Sequence, residues 1–156
     1  MLLSLLTLAC SSLPPAELTG SVGGESFDTI QTTFFGGPFV LLSPEEYSCD
    51  DAWWVDRYYD FEDPPVANGD VAIQIEFNDS EIRTGYFSVG GDAEVEIEVL
   101  IVKENILDTW RARDGIFEVT IAEDDEVHGI FDNVVFDDDG LLNGTFAASW
   151  CINVSE

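Results

Sequence analysis

The chain has 156 residues, 32 of them Asp or Glu against five Lys or Arg, giving a formal net charge of −27. That balance excludes the basic surface that nucleic acid requires, and an anionic membrane surface repels it as well. A hydrophobic share of 46% with 12% aromatics marks a folded chain nonetheless, of a length that suits one domain with a real core.

Such acidity solvates a surface and keeps a protein soluble and monomeric. Lys103 is the single lysine. A carboxylate-rich, lysine-poor surface also tolerates high salt, so a marine or halophilic origin is expected.

Residues 1–9 form an apolar run, too short to span a bilayer and of the length of a signal-peptide core. Leu8-Ala9-Cys10 follows the pattern in which a small residue precedes a cysteine. Here the chain resembles a bacterial lipoprotein precursor, cut before a cysteine that then carries the lipid. The resemblance implies a signal peptide over 1–9, lipid on Cys10 and a tether over 10–17 containing Pro14-Pro15. It also implies export to the cell envelope. Ser11, in place of the Asp that marks inner-membrane retention, implies the outer membrane or cell surface. An ordinary signal peptide, or an apolar N-terminal strand with a buried thiol, are the other readings of the same residues.

From Leu18 the chain reads as one all-β domain over 18–156. Gly23-Gly24 separates a first strand from one running through Phe27 and Ile30 to Phe35, and Gly36-Gly37-Pro38 turns the chain into Phe39–Leu42. Asp51 to Phe61 reads as an aromatic strand ended by Pro64-Pro65. Val71, Ile73, Ile75 and Phe77 alternate inward, and Gly85, Phe87 and Val89 continue on the next strand. In Ala93–Val99 the residues Glu94, Glu96 and Glu98 alternate outward as a solvated face. Residues 103–114 read as a short helix or a wide loop.

Three antiparallel strands then close the chain, Phe117–Ile121, Val127–Phe136 and Leu141–Cys151, joined by the turns Glu123–Glu126 and Asp137–Gly140. A Gly-x-Phe pattern recurs at Gly85, Gly115, Gly129 and Gly144. It is read as strand-start chemistry, in which glycine permits a bend or bulge before a buried ring. Eight to ten short strands with no convincing long helix predict a single antiparallel β-sandwich or a barrel.

Gly144–Cys151, together with Val22–Phe27 and a mid-chain cysteine, resembles domains of uncharacterised bacterial lipoproteins, some of them calycin-like. The resemblance implies a small antiparallel barrel and brings no activity.

Several residues are candidates for chemistry. In an exported chain whose Cys10 is lipidated, Cys49 and Cys151 form an even pair suited to a disulfide; two unpaired thiols are the alternative. Trp53, Trp54, Tyr58 and Tyr59 can present rings to a glycan or peptide, or pack in the core. Asp137, Asp138 and Asp139 supply the oxygen ligands that calcium takes from loops, or simply a solvated turn. No other cofactor is expected. His128 is the only histidine and lacks a recognisable nucleophile partner. The expectation is a non-catalytic binding or structural domain on a lipid anchor. Its alternatives are a calycin-like barrel holding a small apolar ligand and a glycosidase-type enzyme using paired carboxylates.

Overall fold

The computed structural model describes residues 13–44, 69–79, 81–90, 93–104 and 106–150. They form ten strands and no helix: β1 (Glu17–Val22), β2 (Glu25–Ser26), β3 (Ile30–Gly36), β4 (Phe39–Pro44), β5 (Val71–Phe77), β6 (Gly85–Ser88), β7 (Val95–Lys103), β8 (Ile106–Ala122), β9 (Glu126–Phe136) and β10 (Leu141–Trp150).

Seven of these strands close into a ring in the order β10-β3-β4-β5-β7-β8-β9. Every pairing in the ring is antiparallel except one. β10 meets β3 in parallel, through Ser149–Phe34 and Trp150–Phe35, so the barrel is mixed. β1 and β2 extend the sheet from β10, and β6 pairs with β8 outside the ring.

The barrel is filled by its own side chains. Val71, Ile73, Ile75 and Phe77 of β5 face inward as their alternation requires, and Val95, Ile97, Val99 and Ile101 of β7 lie beside them. Phe87, Phe117, Phe131 and Phe146, each two residues after a glycine, meet in the same interior. Phe117 lies 5.3 Å from Phe131 and 6.1 Å from Phe146, centroid to centroid, within the range of favourable ring contacts.

The glycines serve that cluster in different ways. Only Gly85 opens a strand. Gly115 and Gly144 lie mid-strand at register shifts in β8 and β10, as a bulge demands. Gly129 lies mid-strand opposite both Val119 and Phe146. A Cβ placed there would come within 2.4 Å of the Phe146 ring, so its missing side chain is the space the ring occupies.

Residues 106–114 are neither helix nor loop. They form the first half of β8, which pairs with β7 through Lys103–Ile106 to Glu98–Arg111. The apolar run Val99–Val102 of β7 needs a strand partner along its whole length, and that tertiary demand overrides the local pattern.

The register defines two rims. One carries the β1–β2 turn, the β9–β10 turn at Asp138, the β7–β8 turn, and the ends Pro44 and Gly69, where Gly69 N–H donates to Val102 O at 2.8 Å. The other carries the β3–β4 turn, the Glu123–Glu126 turn and Trp150, whose N–H donates to Asp125 O at 3.1 Å.

Candidate functional site

The most structured polar region lies on the outer face of β5, β7 and β8. Alternation that sends Val95, Ile97 and Val99 inward sends Glu96, Glu98 and Leu100 outward. Cross-strand register then sets Gln74 and Arg111 on either side of Glu98, and Glu76 opposite Glu96. Two adjoining grooves of about 300 and 240 Å³ share Glu98, Arg111 and Asp137.

Glu98 departs from the solvated face its alternation suggested. It is only 8% exposed, because Leu41, Ala72, Leu100 and Val102 form a second buried apolar cluster on this outer side of the barrel. Arg111 Nε lies 2.6 Å from Glu98 Oε1. Oε1 is buried without a hydrogen bond, and the opposite charge of Arg111 beside it offsets part of the cost of burying that carboxylate.

Glu76 feels the same crowding. Burial pushes its carboxyl above the ordinary value, and the carboxylates of Glu96 and Glu98 push it the same way. Like charges set opposite one another across a strand pair are destabilising. The Glu76–Glu96 pairing is such a pair.

The three aspartates after β9 do different jobs. Asp137 lines the shared groove. Asp138 accepts the Gly140 N–H at 2.9 Å within its own turn, and its other oxygen accepts the Gly23 N–H at 2.6 Å. Asp139 pairs with Arg113. Among the described residues no group of three His, Cys, Asp or Glu side chains is arranged to hold a metal ion. Of the three candidate calcium ligands, Asp138 is directed to backbone partners and Asp139 to Arg113.

Gly23 is held from both sides. Its N–H is bound by Asp138, and its carbonyl accepts from Lys103 Nζ at 2.5 Å. Lys103 also pairs with Glu25 at 3.2 Å, so the single lysine fastens the β1–β2 turn to β7. His128 is half-buried and pairs with Glu126.

Cys10, Cys49, Cys151, Trp53, Trp54, Tyr58 and Tyr59 lie outside the described residues. The lipid, disulfide and aromatic-contact expectations rest on the sequence. The Glu98–Arg111 groove was not singled out from the sequence. Its only advance sign was the concentration of Lys103, Arg111 and Arg113 in one short stretch of an acidic chain.

Comparison of the chain with protein-family models, with curated proteins and with solved structures finds no match. What the structure defines is therefore a class of architecture: a closed, mixed seven-stranded barrel with a packed interior.

Proposed function

We propose that this is an exported, lipid-anchored cell-envelope protein whose barrel is a non-catalytic binding or structural module. The observation that carries the module reading is the filled interior. Phe77, Phe87, Phe117, Phe131 and Phe146 occupy the middle of the ring. These rings pack against one another where a calycin-like barrel would enclose an apolar guest, which favours recognition on the outside.

The anchor part of the reading rests on Leu8-Ala9-Cys10 and the apolar run before it. Export places Cys49 and Cys151 where a disulfide forms, and the aromatic run from Trp53 to Tyr59 is the contact surface we assign to a glycan or peptide. A paired-acid enzyme fits less well. Glu98, the one buried carboxylate among the described residues, is engaged by Arg111, which stands in the same groove as Glu98 and Asp137.

The test is detergent-phase partition of the protein expressed in a bacterium with its full N-terminus. The native chain enters the detergent phase and the Cys10→Ala chain stays in the aqueous phase. Equal partition of the two overturns the anchor.

A further inference from the structure

The N-terminal chain joins the barrel before its first strand begins. Ala16 and Leu18 pack against the core, Glu17 pairs with Thr145 in the middle of β10, and Pro14 and Pro15 line a groove with Thr120, His128 and Ala147. Followed backwards from Glu17, β1 points along β10 toward the Trp150 rim, since its forward direction leads from Thr145 to Leu141. The proline pair stiffens this approach, because each ring fixes its φ.

We propose that the barrel stands on the membrane with its Trp150 rim toward the bilayer headgroups and its Asp138 rim away. This rests on the reading that Cys10 carries the lipid. Three Cα steps separate Cys10 from Leu13, a reach of about 11 Å at full extension. β10 has ten residues and spans about 30 Å. A tether that short, leaving beside one rim, cannot let the other rim take its place at the surface.

The rim itself carries residues that bear on the contact. Trp150 is 40% exposed and packs edge-on against Phe35 at 5.2 Å; indole is the side chain suited to the headgroup level. Glu123, Asp124, Asp125 and Glu126 stand on the same rim. Anionic headgroups repel them at low salt, whereas near 1 M salt the Debye length falls to about 3 Å and the rim can settle. The salt tolerance expected from the composition and the docking of this rim thus go together.

The test uses the full-length, acylated protein in phosphatidylcholine–phosphatidylglycerol vesicles carrying a rhodamine headgroup dye, in molar NaCl. A fluorescent amino acid is placed at exposed Asp124 on the near rim or at exposed Asp108 toward the far one. Energy transfer to the dye is expected to be several-fold stronger from position 124. Insertion of a flexible Gly-Ser segment of about ten residues after Ser12 is expected to erase most of that difference while the acyl chains remain. Equal transfer from the two positions of an acylated protein, or stronger transfer from 108, overturns the orientation and leaves the anchor standing. A purified chain whose mass shows no acyl group overturns both.

Discussion

Asp138, in the turn between the last two strands, accepts the backbone N–H of Gly23 at 2.6 Å across 115 residues of sequence. The same carboxylate closes its own turn through Gly140. One side chain thereby sets the local geometry of the β9–β10 hairpin and fastens the β1–β2 hairpin to it.

Asp138→Ala removes both acceptors at once. Hydrogen bonds to a charged group contribute about 1.5–3 kcal/mol, and exposure brings the expected loss to about 1–2 kcal/mol. Asp138→Asn keeps one amide oxygen and should lose roughly half as much. Urea unfolding of the two variants distinguishes these values. An Asp138→Ala midpoint equal to that of the native chain would show that the turn holds without the carboxylate.

Gly129→Ala tests the packing of the aromatic cluster. The added methyl meets the Phe146 ring at 2.4 Å and Phe117 at 3.0 Å, and overpacking of this kind costs about 1–3 kcal/mol. Shortening the ring that collides with it should recover part of the loss, so Gly129→Ala with Phe146→Leu is expected to be less damaging than the sum of the single changes. Strict additivity in a double-mutant cycle would mean that the two positions do not share the space.

Glu76 makes stability depend on pH in an unusual direction. Its carboxyl is held above its ordinary value in the folded state, by burial first and by Glu96 and Glu98 next. The folded chain therefore binds this proton more tightly than the unfolded chain does. Its contribution to stability rises as the pH falls through the folded value and is lost as the pH rises again. Glu76→Gln should be the more stable protein at pH 7, by under about 1 kcal/mol given its partial exposure. That advantage should shrink toward the ordinary value of 4.5. Thermal unfolding across this range reads the effect, and a constant difference would remove the charge crowding as its cause.

The surface as a whole gives a further expectation. With a net charge of −27, self-repulsion opposes the compact state, and screening relieves it. The melting temperature should climb between roughly 0.1 M and 2 M NaCl, most steeply at the low end. A flat or falling curve would count against adaptation to salt.

Much of this fold was legible in the sequence, and the exceptions have physical causes. The inward alternation of Val71, Ile73, Ile75 and Phe77 was plain because period two survives without knowledge of any neighbour. The Gly-x-Phe pattern named four core rings correctly. Its bulge reading holds at Gly115 and Gly144, and it fails at Gly129, because the use of Gly129 as room for Phe146 depends on a partner strand. The first half of β8 looked like a helix or loop because Asp108, Arg111 and Arg113 interrupt its apolar residues, and only the demand of β7 makes it a strand. Glu98 looked solvated for the same reason. Alternation assigns a side of the sheet, and it cannot say that the outer side is covered too. The partners of Asp138 and Lys103 were out of reach, because both find Gly23, far away along the chain.

The most direct test of the account is the intact mass of the native protein recovered from its own membranes, before and after reduction. A chain beginning at Cys10 with acyl groups attached, and two hydrogens lighter before reduction, is the result expected; it would establish the anchor and the Cys49–Cys151 bridge together. An unmodified chain that still begins at Met1, with free thiols and no change on reduction, would contradict the account. It would take away the envelope, the lipid and the orientation, and leave the packed barrel alone.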